Sequence, residues 1–324
     1  MSIISPLRQV FPGKPHFTEK DVPDLKNKVI VVTGANSGVG KELAQILYAK
    51  NAKVYMLARS ESKTKAAIDS IKAAVPMSSG DMIFIPLDLA DLPSINVSAN
   101  ELLRREQKIH LLFNNAGVGY PEKGSKTKQG YELQVGVNCI GAFALTKLLT
   151  QTIVATAKAS PPNTVRVVWV SSSAAEGANP NTFMASLPDI QNKGSAQGYF
   201  ASKLGNYFHA TEFAARHKED GIMSIPLNPG NLDSDFWRSQ GPILTYLLQK
   251  TVLFPPKYGA YTALFAGFSP QVTPEMSGHF VAPWGRFWNV SKQMIAASKS
   301  KSEGGTGVAA DFWKWTDDQV QLYI

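Results

Sequence analysis

The residues in this sequence that most clearly indicate chemistry are a tyrosine and a lysine one helical turn apart. Tyr199 and Lys203 are four residues apart, a spacing that places two side chains on one face of a helix. An ammonium held near a phenol favours the phenolate and lowers the pKa of the phenol toward working pH. Such a phenol is an acid/base group suited to the interconversion of a carbonyl and an alcohol. The spacing also arises by chance on solvated helices, so the residues before it decide its meaning.

Several polar and glycine-rich motifs precede this pair in the chain. A glycine turn covers residues 34–40, and Asn114-Asn115-Ala116-Gly117 follows it. Asn138 and a cluster of three serines at 171–173 come next. Hydroxyls at a strand end can simply cap a helix, and an asparagine inside a helix can satisfy a neighbouring carbonyl. The complete ordered set favours a catalytic site over these structural interpretations.

The glycine turn predicts a phosphate-binding loop. It lies between the first predicted strand and the first predicted helix, with the spacing Gly-x-x-x-Gly-x-Gly. A backbone that approaches a pyrophosphate needs residues without a Cβ, and a helix N-terminus supplies free N–H groups and a favourable dipole. The spacing is one residue longer than the familiar dinucleotide fingerprint. The predicted contacts are Gly34, Asn36, Ser37, Gly38, Val39 and Gly40.

The residue at the end of the second predicted strand bears on the choice between NAD and NADP. Many NAD enzymes place an acidic residue there to bind the ribose 2′-hydroxyl, whereas this chain has Arg59, followed by Lys63. A carboxylate would repel a 2′-phosphate, and a guanidinium attracts it through directed hydrogen bonds. The sequence therefore favours NADP over NAD, unless Arg59 only caps a surface helix.

The elements that must position these residues alternate between strand and helix. Short apolar and β-branched runs predict strands, and longer apolar patterns predict helices. The alternation favours an α/β fold with a doubly wound parallel sheet and helices on both faces. The predicted strands are 28–33, 53–58, 82–87, 109–113, 164–170, 223–227 and 279–281, and the predicted helices are 42–50, 62–74, 92–106, 131–157, 199–217, 236–252 and 257–268.

The chain shows no internal repeat and no linker, so we expect one domain rather than two. Residues 1–27 contain four prolines and no sustained periodicity, which predicts an extended lead-in. The domain is expected over residues 28–290, with a substrate-pocket segment near 232–268. Residues 291–324 are expected to form a tail packed on the domain.

Composition and charge argue against several classes of protein. With 324 residues and 44% hydrophobic content, the chain can bury a large core. The net charge of +8 is spread along the sequence, which suits an anionic cofactor as well as it suits nucleic acid. Because no basic helix or aromatic–basic ladder occurs, we expect no nucleic-acid partner.

Cysteine, histidine and apolar patterns bear on compartment and cofactors. The one cysteine, Cys139, allows no intrachain disulfide and fits a reducing interior. In an apolar helix it is expected to be a core residue rather than a nucleophile. The five histidines lack metal-ligand spacing, so no metal site is predicted. No secretion signal and no transmembrane span are predicted, which makes a cytoplasmic location the default.

Taken in order, the motifs resemble those of the short-chain dehydrogenase/reductase family, from about Lys28 to about Leu264. The family order begins with Thr33-Gly34 and the rest of the glycine turn, and it ends with the tyrosine–lysine pair and Pro229-Gly230. Residues 130–143 and 259–262 are similar to the retinol-dehydrogenase-like branch. The tail around 282–286 and 312–315 resembles that of fungal members. The resemblance implies a single-domain Rossmann fold.

The resemblance also implies a role for each site residue. Tyr199 would exchange a proton with a carbonyl oxygen that Ser172 orients, with Ser173 as the alternative serine. Lys203 would bind the nicotinamide ribose and lower the pKa of Tyr199, and Asn138 would hold a water beside Lys203. Asp88 would contact the adenine and Asn115 the region of the adenine ribose. The other implied cofactor contacts are Leu89, Ala116, Gly117, Pro229, Gly230, Leu232 and Ser234.

Two departures from the family pattern stand out. The gap between the serine and the tyrosine is about twice the common one and is filled by residues 174–197, which leaves the choice of Ser172 less settled. Ser234 stands where many relatives have a threonine near the nicotinamide carboxamide. The hydroxyl is kept, so we expect cofactor binding to be kept as well.

The function expected from this set is an NADP-dependent oxidoreductase for a lipophilic ketone or aldehyde and its alcohol, acting in the reductive direction. A fungal secondary-metabolite step fits the tail. The alternatives are an NADP-binding scaffold for a cyclisation or dehydration, and an NADP(H) sensor. Relatives occur as tetramers, dimers and monomers, so the oligomeric state stays open. The expected pocket is apolar and contains Phe236, Trp237, Ile243, Leu244, Tyr246, Leu247, Leu248, Leu253 and Phe254.

Overall fold

Eight strands form one sheet in the computed structural model, which describes residues 8–234 and 248–324. The sheet order is β3-β2-β1-β4-β5-β6-β7-β8. Every pair from β3 across to β7 is parallel, as the sequence predicts. The strands are β1 (Val29–Thr33), β2 (Lys53–Ala58), β3 (Asp81–Pro86), β4 (Leu111–Asn114), β5 (Arg166–Val170), β6 (Met223–Leu227), β7 (Phe280–Ala282) and β8 (Arg286–Trp288).

The order of the strands creates a crevice at one edge of the sheet. Successive strands run outward from β1 to β3, and the chain then returns to place β4 on the other side of β1. In open α/β sheets, ligands bind where the order reverses, outside the carboxyl ends of the strands. The turns after β1 and β4 meet at this point, and both carry predicted site motifs.

The edge strand β8 was not predicted from the sequence, and it runs antiparallel to β7. Two consecutive residues, Trp284 and Gly285, adopt left-handed backbone conformations with φ of 67° and 86°. The Gly285 N–H donates to the carbonyl of Ala282 at 3.1 Å, which closes the turn. A tight turn of this kind reverses the chain within three residues, too few for a periodic signal.

Helices cover both faces of the sheet, and on each face an apolar core is formed between the sheet and the helices. One core lies under α1, α2 and α7, and the other lies under α3, α4, α6 and α9. The chain is thus a single α/β domain, as predicted. The helices are α1 (Gly38–Ala49), α2 (Glu61–Ala74), α3 (Leu92–Arg105), α4 (Leu133–Lys158), α5 (Phe183–Ser186), α6 (Ser195–Arg216), α7 (Pro256–Phe268), α8 (Lys292–Ser298) and α9 (Val308–Val320).

Helix α4 is the one described helix that is long and apolar enough to cross a membrane by length and composition. The core helix of a globular protein passes the same test. Phe143, Leu145 and Leu149 are fully or almost fully buried in the core. Most of the apolar stretch is likewise buried inside the protein, so core packing accounts for its composition.

Both chain ends contact the central domain. In the lead-in, Gln9 is buried and accepts a hydrogen bond from Asn228 at 2.9 Å, directly after β6. Glu19 pairs with Lys257 on α7 at 2.8 Å. In the tail, α9 lies against α4 and α6, where Phe312 is fully buried. The predicted helix 236–252 lies mostly outside the described residues.

We predict that the tail contributes a large share of stability through Phe312. Its ring stacks on His209 with centroids 4.6 Å apart and lies edge-on to Phe183 at 5.0 Å. Phe312→Ala should lower the free energy of unfolding by about 3–5 kcal/mol, because it opens a cavity in a packed core. The matched control, Leu322→Ala, removes a side chain that is 90% exposed and should change stability by less than about 0.5 kcal/mol. Denaturant titration would measure both, and equal effects would contradict the prediction.

Candidate active site

The four predicted catalytic side chains reach one place from three neighbouring elements. Asn138 belongs to α4, Ser172 directly follows β5, and Tyr199 and Lys203 lie on α6. Helix α6 begins at Ser195, earlier than predicted, so Tyr199 stands in its second turn rather than at its start. The structure therefore brings together residues that are up to 65 positions apart in the sequence.

The side chain of Ser172 lies beside the phenol of Tyr199 and lowers the pKa of that phenol by hydrogen bonding. Ser172 also accepts the backbone N–H of Ala174 at 3.1 Å, which begins a helical turn and fixes the serine side chain. The preceding Ser171 is buried and donates instead to the carbonyl of Lys203 at 2.7 Å. Of the serines at 171–173, Ser172 is thus the one that the described contacts join to the tyrosine.

Lys203 is buried beneath the site, where its Nζ donates to the carbonyl of Val170 at 2.9 Å. Asn206, one turn further along α6, donates to the same carbonyl at 3.1 Å. The Nζ lies 5.6 Å from the centroid of the Tyr199 ring. Because burial disfavours the charged ammonium, the pKa of Lys203 falls to about 8.

Burial, and not the neighbouring Lys203, has the largest effect on the pKa of Tyr199. Burial raises the pKa of the phenol, the hydrogen bond with Ser172 lowers it, and nearby Tyr120 adds to the rise. Lys203 is not among the groups that lower the pKa of Tyr199, although the sequence predicts that it is. Its ammonium is held by the carbonyl of Val170 instead of by the phenol. Within these residues, Ser172 is the group that favours the phenolate.

Asn138 lies in a π-helical stretch of α4, Gly136–Gly141. Its Oδ1 accepts the N–H of Val118 at 2.8 Å, and its Nδ2 donates to the carbonyl of Val118 at 2.9 Å and to Ser202 Oγ at 3.0 Å. A single π-helical turn inside an α-helix often marks a functional site. A Cβ added to Gly117 would lie 3.1 Å from Asn138 Oδ1 and 3.6 Å from Lys203 Nζ. Gly117 thus lies next to both polar groups.

The glycine turn has the shape that a pyrophosphate requires. Gly34 and Gly38 have positive φ of 67° and 54°, and a Cβ on Gly40 would lie 2.3 Å from the carbonyl oxygen of Gly34. Ser37 precedes the first turn of α1, and its side chain makes no capping hydrogen bond. No acidic residue stands in that first turn. The N–H groups and dipole of α1 are therefore open to an anion.

Asn115 lies against the glycine turn. Its Nδ2 donates to the carbonyl of Thr33 at 2.8 Å. The hydroxyl of Thr33 in turn accepts the N–H of Asn115 at 3.0 Å and that of Ala116 at 2.9 Å. Asn115 and Thr33 therefore brace the turn after β1 against the turn after β4. Thr33 begins the motif but was not among the predicted site residues.

Arg59 lies at the carboxyl end of β2, beside the glycine turn, and its side chain is exposed. The hydroxyl of Ser60, not Arg59, caps α2 by accepting the N–H of Lys63 at 3.4 Å. Within residues 8–234 and 248–324, no hydrogen bond or ion pair is formed by the Arg59 guanidinium. The side chains of Arg59 and Lys63 thus remain available to an anionic group.

The turn after β3 provides the opposite wall of the predicted adenine site. Asp88 is half-buried, and its Oδ1 accepts the N–H of Ala90 at 3.0 Å. Leu89 is buried against Gly141 on α4, where an added Cβ would lie 2.4 Å from the carbonyl oxygen of Leu89. This contact fixes the turn that carries Asp88.

The stretch after β6 bends toward the glycine turn. Gly230 has a φ of 96°, and a Cβ there would lie 2.8 Å from the ring of Trp284. Leu232 is buried against Gly259, and the Cβ of Ser234 would lie 3.7 Å from a Cβ on Gly38. The segment from Pro229 to Ser234 thus leads from β6 to the N-terminus of α1.

The pocket segment is described only in part. Phe236, Trp237, Ile243, Leu244, Tyr246 and Leu247 lie outside the described residues, whereas Leu248, Leu253 and Phe254 lie inside them. The ring of Phe254 packs edge-on against Trp284 with centroids 5.2 Å apart. Two aromatic residues at the site were missed from the sequence. They are Trp284, behind Gly230, and Tyr120, beside Tyr199.

The comparisons with known proteins agree with this geometry. The family model for short chain dehydrogenases matches residues 28–242. The chain belongs to the short-chain dehydrogenase/reductase family. A short-chain dehydrogenase/reductase of Phomopsis amygdali is 50% identical over 321 residues, covering 98% of this chain and 96% of the relative. The short-chain dehydrogenase/reductase bet4 of Neocamarosporium betae is 44% identical over 322 residues, covering 98% and 93%.

A solved structure extends the likeness of the fold. The NADP active-site complex of RhlG from Pseudomonas aeruginosa has a TM-score of 0.63 at 21% identity, covering 83% of this chain and 96% of that chain. Membership of the family makes the protein an NAD(P)-dependent oxidoreductase of fungal type. The absence of a Cβ at Gly34 and Gly40 fits the nicotinamide cofactor that the family requires. Within the part of the chain that the structure describes, no group of three metal-ligating side chains occurs.

We predict that the hydroxyl bonded to Tyr199 is the one that matters for turnover. Ser172→Ala should lower kcat by about 100- to 1000-fold, because it would remove a hydrogen-bond donor to the carbonyl oxygen that reacts. Ser173→Ala is the matched control and should keep most of the activity. Steady-state kinetics with NADPH and any accepted carbonyl would compare the two variants. A larger loss in Ser173→Ala would show that the wrong serine was assigned.

Proposed function

We propose that the protein reduces a lipophilic ketone or aldehyde to its alcohol with NADPH. The observation that carries the proposal is the pair of Tyr199 and Lys203, with Lys203 Nζ 5.6 Å from the centroid of the Tyr199 ring. The pair lies next to a glycine turn where a Cβ on Gly40 would lie 2.3 Å from the carbonyl oxygen of Gly34. The cofactor would lie among residues of the turns after β1, β3, β4 and β6. These residues are Gly34, Asn36, Ser37, Gly38, Val39, Gly40, Asp88, Leu89, Asn115, Ala116, Gly117, Pro229, Gly230, Leu232 and Ser234. When bound, the nicotinamide supplies the hydride.

The residues of the chain would manage the proton and the oxygen. Ser172 and Tyr199 would both donate hydrogen bonds to the carbonyl oxygen, which polarises the carbon toward hydride attack. As negative charge develops on that oxygen, Tyr199 would release its phenolic proton to it. Lys203 would hold the nicotinamide ribose hydroxyls, and the hydrogen bond from Ser172 would favour the resulting phenolate. Asn138 would keep a water beside Lys203, through which the proton of Tyr199 is replaced.

The choice of NADP rests on Arg59 and Lys63. Both side chains are exposed at the carboxyl end of β2, where an acidic residue would select NAD. A guanidinium there can form paired hydrogen bonds with a 2′-phosphate. The similar fold of RhlG was solved as an NADP complex, which is consistent with this preference.

The choice of a lipophilic substrate rests on the residues that follow the nicotinamide segment. Leu253, Phe254 and Tyr258 are half-buried, and Phe254 and Tyr258 pack on Trp284. The undescribed stretch before them is also rich in apolar residues. Apolar walls favour a bulky apolar ligand over a sugar or a small hydroxy acid. The fungal relatives fit a step of secondary metabolism in the cytoplasm.

We predict that Tyr199→Phe removes turnover and leaves cofactor binding intact. The variant keeps the ring and loses only the proton, so kcat should fall by at least about 100-fold while the Kd for NADPH stays near that of the wild type. Loss of NADPH absorbance with a panel of lipophilic and small polar carbonyls would measure turnover. Tight NADPH binding without turnover of any carbonyl by the wild type would favour a non-redox scaffold or a sensor. Efficient turnover of polar substrates alone would contradict the lipophilic class.

We predict that Arg59→Asp reverses the cofactor preference. A carboxylate at this position repels the 2′-phosphate, so the ratio of kcat/KM with NADPH to that with NADH should fall by at least about tenfold. Arg104→Asp is the matched control, because Arg104 is an exposed arginine near the distal end of α3, and it should leave the ratio unchanged. An unchanged ratio in Arg59→Asp would mean that another group binds the phosphate.

A further inference from the structure

A second tyrosine packs against the catalytic one. The rings of Tyr120 and Tyr199 have centroids 5.2 Å apart and planes inclined by 31°. Tyr120 stands three residues after Gly117, in the loop that follows β4, and its side chain is half-buried. An aromatic pair at this separation is stabilised beyond its buried area alone. The pair therefore restricts the motion of the Tyr199 ring.

The backbone of Tyr120 adopts an unfavourable conformation. Its φ is 49°, in the left-handed region that is uncommon for a residue with a bulky side chain. Such a conformation costs about 1 kcal/mol or more and persists only where neighbouring contacts hold it. The contact that holds it is a hydrogen bond of 3.0 Å from the Tyr120 N–H to Gln134 Oε1.

Gln134 connects this loop to the helix that carries Tyr199. Its side chain is fully buried, and its Nε2 donates to the carbonyl of Ser195 at 2.9 Å and to Glu132 at 3.1 Å. Ser195 is the first residue of α6. A Cβ on Gly198, the residue directly before Tyr199, would lie 2.7 Å from the same Nε2. The side chain of Gln134 thus contacts both the loop that carries Tyr120 and the start of the helix that carries Tyr199.

We propose that Tyr120, held in its left-handed conformation by Gln134, is a positioning residue that keeps the Tyr199 hydroxyl on Ser172. The Tyr120 ring limits rotation of the Tyr199 side chain, and Gln134 sets the distance between the loop and α6. A reacting group that is held in one orientation reacts faster than a mobile one. A misplacement of about 1 Å can lower the reaction rate about 100-fold. The effect on rate rests on the proposed function, whereas the effect on ring motion does not.

The first test distinguishes the role of the Tyr120 ring from the role of its backbone conformation. Tyr120→Gly deletes the ring and suits a positive φ, so the fold should be kept. We expect kcat to fall by about 10- to 100-fold for every accepted carbonyl, with KM and the Kd for NADPH within about twofold of the wild type. Tyr120→Phe keeps the ring and should restore kcat. A raised KM with unchanged kcat, or an equal loss in Tyr120→Phe, would overturn the proposal.

The second test needs no turnover. Ring-flip rates of Tyr199 can be measured by NMR with ring-labelled tyrosine, using Tyr199→Phe to assign the signal. We expect slow flips in the wild type and in Tyr120→Phe, and at least about tenfold faster flips in Tyr120→Gly and in Gln134→Leu. Unchanged flip rates in Tyr120→Gly would overturn the proposal. Should the wild type reduce no carbonyl, the flip rates still decide the role of Tyr120, while the proposed function alone fails.

Discussion

The close approach of two backbone turns, after β1 and after β4, determines the geometry of the site. A Cβ on Gly34 would lie 3.0 Å from the Cα of Ala116, so the two turns touch at the edge of the sheet. The contact is fixed by Asn115, which donates to the carbonyl of Thr33 at 2.8 Å. The crevice exists because the strand order reverses between β1 and β4. The cofactor groove and the loop that carries Tyr120 therefore share one support.

The sequence predicted the parallel sheet because each strand depends on a local pattern, and the candidate site residues were chosen from short motifs that are local as well. Strands 53–58 and 223–227 have the predicted bounds, since each is an apolar run bounded by turn residues. The starts of α1 and α6 were placed four residues too late, since these helices begin at Gly38 and Ser195, in polar or glycine-rich stretches without periodicity. The positions of individual side chains were harder to predict, since Asn115 matches a motif whose partners only the fold determines.

Two non-glycine residues with a positive φ, Tyr120 and Trp284, were not recognised as site residues from the sequence. Tyr120 and Trp284 have φ of 49° and 67°, and in both cases a specific contact holds the strained backbone. The N–H of Tyr120 is held by Gln134, and the N–H of Trp284 donates to Thr262 Oγ1 at 3.1 Å. Such contacts join segments that are distant in the sequence. A motif of short length cannot encode them.

The tail extends the support of the site to the far side of α6. A Cβ on Gly205 would lie 2.6 Å from Cys139 Sγ on α4 and 2.9 Å from the ring of Phe312 on α9. Helix α6 is therefore packed tightly between the other two. Because Cys139 follows Asn138 in the π-helical turn and its Sγ donates to the carbonyl of Ser202 at 3.0 Å, this packing fixes the distance between Asn138 on α4 and Lys203 on α6. The tail thus acts on the site through the spacing of two helices.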